Sequence, residues 1–100
     1  MVDYTKLHKF IEVLSDNTRL SIIDSLENGS KSVRNICTDL NMEQSRVSHS
    51  LAKLRCCGFV NCEQIGKERH YFVDKEVLKL IQNIYKHMNK HATCYNLRGE

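Results

Sequence analysis

Between Leu54 and Val77 the spacing of apolar residues changes twice, and few small folds accommodate such a pattern. Up to Leu54, apolar residues recur every three or four positions, as on one face of a helix. Then "FVNCEQI" and "RHYFV" are rich in aromatic and β-branched residues and are separated by Gly66-Lys67-Glu68. They predict a two-stranded hairpin with an exposed, charged tip. Beyond Asp74 the helical period returns through Val77, Leu78, Ile81, Ile84, Tyr85 and Met88. A hairpin this small is not stable alone, so it must lie against the helices.

Upstream, Tyr4, Leu7, Ile11 and Leu14 predict a helix over 4–14. "SDNT" supplies a break and a cap for a second helix near 18–27, with Leu20, Ile23 and Leu26 inward. "NGSKS" stops it, and Ser32 can cap a short third helix sharing Val33, Ile36, Cys37 and Leu40 on one face. After the connector "NMEQ", a fourth helix is expected over about 44–57, with Val47, Leu51 and Leu54 inward and Gly58 ending it. The expected fold is mostly α with a small β-hairpin, in winged helix-turn-helix order. One hundred residues without proline leave room for a single compact domain, 1–100. Within it we expect the turn unit at about 32–57, the wing at about 59–73 and a C-terminal helix at about 75–91. The closing "ATCYNLRGE" is expected to fray.

A formal charge of +3 is only mildly basic, so the placement of charge matters more than its sum. On the fourth helix Arg46, His49 and Lys53 sit opposite the apolar stripe, with Ser45, Ser48 and Ser50 around them. Small hydroxyl residues allow close approach to a groove, and Arg46 has the reach for a guanine edge. Lys53 and Arg55 suit phosphates, while Lys67 and Arg69 on the wing can reach an adjacent backbone. Glu68 beside them weakens that field. Each residue alone fits a solvated face. Together, on the second helix of a turn unit followed by a charged hairpin, they point to double-stranded operator DNA. The first residues carry charges throughout and no long apolar run, so neither a signal peptide nor a membrane partner is expected, and a cytoplasmic location is. There Cys37, Cys56, Cys57, Cys62 and Cys94 should be mostly free thiols, since an odd number cannot all pair within one chain.

From Val13 to Val73, about 60% of the chain, the sequence resembles the ArsR/SmtB family of small dimeric winged-helix repressors. The resemblance is carried by "LSDNTRLSII", by "RVSHSLAKLRCCGFV" and by "GKERHYFV", in that order. "SHSL" departs mildly, with a serine where the family often has a histidine or glutamine. The resemblance implies a homodimer built on the first and last helices. It also implies operator binding that is lost when an effector binds or oxidises the protein. The wide apolar band of the last helix agrees with such a dimer independently.

Three sensing sites of the family bear on the thiols. The usual arsenic or cadmium pair of the short helix looks absent, since Cys37 stands alone with Asn35 two residues earlier. Cys37 instead matches a cysteine of the reactive-sulfur and oxidant sensors, for which Cys94 is a candidate partner displaced by about five residues from the matching position. In the cadmium/lead branch, Cys57 matches one ligand of the reading helix and Lys53 replaces another. Cys56 does not substitute for it, because adjacent residues diverge on a helix. Cys62, beyond the turn, can swing back, and Cys94 lies in a tail of the required kind. A site of Cys57 with Cys56 or Cys62, closed by Cys94, suits As(III), Cd(II), Pb(II), or Zn(II) with a fourth ligand. No ion is expected to be needed for folding. A weaker expectation is the family's last-helix zinc or cobalt site, made from two subunits, where Asp74 and His87 match, Glu76 replaces a histidine, Lys90 replaces an acid and His91 is a neighbouring substitute.

Enzymatic readings have little to stand on. No phosphate-cradling glycine loop or nucleophile–base order is present, and Cys56-Cys57 close a helix rather than opening one. The rivals to an ion-responsive repressor are a redox or reactive-sulfur responsive repressor and a winged-helix module that binds only protein.

Overall fold

The computed structural model describes residues 1–95, with Ala92 described by its backbone alone. The order is α1 (Tyr4–Leu14), α2 (Asn17–Leu26), β1 (Lys31–Ser32), α3 (Val33–Leu40), α4 (Gln44–Cys56), β2 (Val60–Ile65), β3 (Glu68–Val73) and α5 (Lys75–Asn89). A short 3-10 turn, Ala92–Tyr95, follows α5 where a frayed end was expected; the rest of that stretch, 96–100, lies outside the described residues.

Four of the five α-helices begin where a side chain serves their open amides. Asp3 accepts from the amides of Thr5 and Lys6, Asp16 from Arg19, Ser32 from Asn35, and Asp74 from Glu76 and Val77. The turn between α3 and α4 pivots on Asn41, which adopts the left-handed conformation at φ 53° and lets the Met42 amide reach the Cys37 carbonyl at 3.1 Å. α4 stops in the same manner. Gly58 takes φ 82°, and the Phe59 amide turns back to the Leu54 carbonyl at 2.9 Å.

The sheet has three strands in the order β1-β3-β2, one more than the hairpin predicted. β2 and β3 pair from Val60↔Val73 to Ile65↔Glu68, so the tip is the two-residue loop Gly66-Lys67 and Glu68 already belongs to the ladder. Gly66 at φ 63° fits the first place of a tight hairpin turn. The added strand β1 pairs Lys31 with Tyr71 and Ser32 with His70, joining the wing to the entrance of α3.

The core is the meeting of these stripes. Ile22, Ile36, Val47, Leu51, Leu54, Phe59 and Val60 are fully buried, and Val13, Ile23, Leu26, Val73 and Val77 complete the cluster. Leu20, expected inward, is 43% exposed, and Ile22 takes that place. Phe59 is the junction. Its ring lies tilted against that of Phe10 of α1, centroids 4.8 Å apart, and its carbonyl accepts from the Asp74 amide at the start of α5 at 3.0 Å. No helix among the described residues is long and apolar enough to cross a membrane.

Candidate nucleic-acid interface

With Val47, Ser50, Leu51 and Leu54 buried, the remaining positions of α4 divide into three groups. At about 100° per residue, Ser45, His49, Ala52 and Cys56 form an outer ridge opposite the core, all exposed. Arg46 and Lys53 lie on the shoulder towards α2. The Arg46 guanidinium is hydrogen-bonded to Thr18 of α2, and Lys53 shares a cavity of about 610 Å³ with Lys9, Arg19 and Cys57. Ser48 and Arg55 lie on the shoulder towards the wing, where they line a groove of about 490 Å³ with Cys56, Arg69 and Tyr71. The ridge itself is therefore built of small side chains and one imidazole, and the basic residues flank it. That shape suits insertion into a major groove, with cations on either side for the two phosphate backbones.

The start of α4 adds to this surface. Its N-cap, Glu43, makes no side-chain hydrogen bond to the first turn, which leaves those amides without a side-chain partner. Arg69 and Tyr71 also border a second groove of about 400 Å³ with Arg34, Thr38 and Gln44. Arg34 and Gln44, which border this groove, were not among the residues expected from the sequence. Their signal was position, in the first turns of the two helices of the turn unit, and not residue type. Lys67 sits exposed at the wing tip.

One expected contact residue is corrected. Ser50 is only 6% exposed and packs inward beside Val47 and Leu54, so its hydroxyl is not available to DNA.

The thiols are dispersed. All five cysteines are free, with Cys56, Cys57 and Cys94 exposed and Cys37 and Cys62 half-buried. Cys57 opens beside α1, whereas Cys56, its neighbour in sequence, opens towards the wing. Cys62 faces Tyr71 across the hairpin, and Cys37 packs against the core from α3. Among the described residues no group of three or more His, Cys, Asp or Glu side chains is placed to hold a metal ion. The expected set of Cys56, Cys57, Cys62 and Cys94 is thus not gathered within one protomer. The same holds for the last-helix set. Asp74 caps α5 at one end, while His87 and His91 lie at the other, ring centroids 5.3 Å apart. Thirteen helical positions separate Asp74 from His87, about 20 Å along the axis, so the two could meet at one ion only across two subunits, as the family's site does.

A family model for bacterial regulatory proteins of the arsR family matches residues 16–61, from the cap of α2 to the start of the wing. An uncharacterized HTH-type transcriptional regulator from Methanocaldococcus jannaschii is 33% identical over 89 residues, covering 84% of this chain and 100% of that one. The chain belongs to the ArsR family. Its DNA-binding winged helix-turn-helix is a regulator's module, not an enzyme's. A second relative, the arsenical resistance operon repressor of Staphylococcus aureus, is 26% identical over 101 residues, covering 98% of this chain and 97% of its own length. Among solved structures, the homodimeric winged helix-turn-helix DNA-binding domain of a Mycobacterium bovis protein superposes with a TM-score of 0.80 at 23% identity, covering 89% of this chain and 83% of that one. That similarity carries the mostly helical fold with its hairpin wing.

Proposed function

We propose that this ArsR-family chain is a homodimeric repressor that holds an inverted-repeat operator with two copies of α4 and is released when its thiols bind a soft metal or metalloid ion. The observation that carries the dimer is the apolar face shared by α1 and α5. α5 spans fifteen residues and buries only Val77, while Leu80, Ile84 and Tyr85 stay exposed beside Leu7 and Ile11. With Phe10 they line a groove of about 630 Å³ between the two helices. A second copy presents the same face, so one two-fold pairing removes both from water. Half-sites then lie about one DNA turn, ~34 Å, apart.

In this reading Ser45, Ser48 and His49 meet the groove floor. Lys53, Arg55, Lys67 and Arg69 meet phosphates. The effector is As(III), Cd(II), Pb(II) or Zn(II), held by thiolates drawn from both protomers. Cys57 opens beside α1, and Cys94 lies just beyond α5. Pairing through those two helices would bring together thiols that a single protomer holds apart. The name of the Staphylococcus aureus relative, an arsenical resistance operon repressor, supports the same effector class.

The test combines sedimentation of the reduced protein with operator binding followed by fluorescence anisotropy during ion titration. A dimer at micromolar concentration that leaves its operator on ion binding is expected. Cys57→Ser should bind operator as the parent does and ignore the ion. A species of 11.7 kDa alone removes the dimer. No ion bound below micromolar concentration, with DNA release on oxidation that Cys37→Ser abolishes, replaces the ion with a redox signal at Cys37 and Cys94.

A further inference from the structure

Two side chains twenty-eight positions apart fasten the reading helix to α2. Arg46 Nε donates to the Thr18 hydroxyl oxygen at 3.2 Å, and Nη2 donates to the same oxygen at 2.7 Å. Thr18 is 9% exposed, so its acceptor is largely withdrawn from water, where a hydrogen bond from a charged donor counts for more and its loss costs more. The next residue extends the connection. The Arg19 amide donates to Asp16 Oδ2 at 2.9 Å, and Arg19 Nε donates to the Val13 carbonyl at 2.6 Å. The end of α1, the first turn of α2 and the first turn of α4 are thereby joined in series by polar contacts.

We infer that Arg46 is a positioning residue, which sets the pose of α4 for DNA by gripping Thr18 rather than by reading a base edge. Its place on the helix agrees, because Arg46 lies on the shoulder towards α2 and the outer ridge is Ser45, His49, Ala52 and Cys56. To turn its fork onto a base, Arg46 must abandon a nearly buried hydroxyl, and α4 loses its one side-chain hydrogen bond to α2 among the described residues. A positioning role has a signature of its own. Specific affinity falls when either partner is removed, and no phosphate contact is lost. The inference rests on α4 being the helix that enters the groove.

The experiment measures operator affinity by anisotropy across a salt series, well below each variant's unfolding midpoint. Arg46→Ala and Thr18→Val are each expected to weaken operator binding about tenfold, with the salt slope unchanged. The double variant should be no weaker than either single one, since both remove the same bond. Thr18→Ser keeps the acceptor and should bind as the parent does, and Arg46→Lys, with one donor in reach, should fall between parent and Arg46→Ala. If Arg46→Ala lowers the salt slope by about one, or relaxes preference at a single base pair while Thr18→Val binds normally, Arg46 touches DNA and the inference is overturned. Additive losses in the double variant overturn it as well. Ala52→Glu separates this failure from failure of the interface itself, because it plants an anion on the outer ridge. Parent-like binding by Ala52→Glu would mean that α4 does not enter the groove, whereas its loss alongside silent Arg46 and Thr18 variants would defeat the positioning role alone.

Discussion

At Ser50 a hydroxyl that would suit a DNA-facing helix turns into the core instead, and the reason is angular. Position 50 falls beside Val47 and Leu54 on the helical wheel, on the near side of the apolar stripe, while Ser45 and Ser48 fall away from it. Three serines in six positions therefore have two different surroundings. Ser50→Ala is expected to leave operator affinity unchanged, and a measured loss like that of a Ser48 variant would restore it to the contact set. Phe59 is the opposite case, a residue the sequence marked only as part of a strand. It is fully buried against Phe10 and bonded through its backbone to both Leu54 and Asp74. Phe59→Ala should cost about 3–5 kcal/mol in urea unfolding, as aromatic truncations in packed cores do. A cost below 1 kcal/mol would show that the junction repacks without it.

The elements were legible because they rest on local signals. The caps at Asp16 and Ser32, the stop at Gly58 and the doubled period of the wing each need only a few neighbouring residues to be read. What escaped was set by distant partners. Two residues of β1 carry no periodicity of their own and become a strand only because β3 lies alongside. The destination of the Arg46 fork depends on Thr18 in another helix. The basic residues of α4 were legible as a set, but their division between two shoulders was not, since that requires knowing where α2 and the wing lie. The same division separates the adjacent thiols. Cys56 shares the outer ridge with His49 and Ala52 and the wing groove with Arg55 and Arg69, whereas Cys57 opens beside α1. Carboxymethylation of a variant that retains only Cys56 should strongly weaken operator binding, because it adds an anion between cations meant for phosphates. The same treatment of a variant that retains only Cys57 should weaken it less. Equal effects in a gel-shift titration would mean that the two thiols share one surface.

For the whole molecule, the α1/α5 face is the largest expectation of the sequence that needs a second copy to be met. Ile84 is 48% exposed on α5, beside Tyr85 and across the groove from Ile11. Ile84→Glu should leave the fold intact by circular dichroism yet sediment as a monomer, with operator affinity reduced by at least a hundredfold as the second reading helix is lost. A dimeric Ile84→Glu protein would move the interface elsewhere. The short strand β1 bears on how the proposed dimer would let go of DNA. Because Lys31 and Ser32 are laddered to Tyr71 and His70, the wing is stitched to the entrance of α3, and the hairpin cannot flap while the turn unit stays still. Turn unit and wing are thereby tied into one head. In the proposed dimer, release would then be expected as a rigid-body swing of two heads about the paired helices, which changes the distance between them and leaves each head's own shape alone.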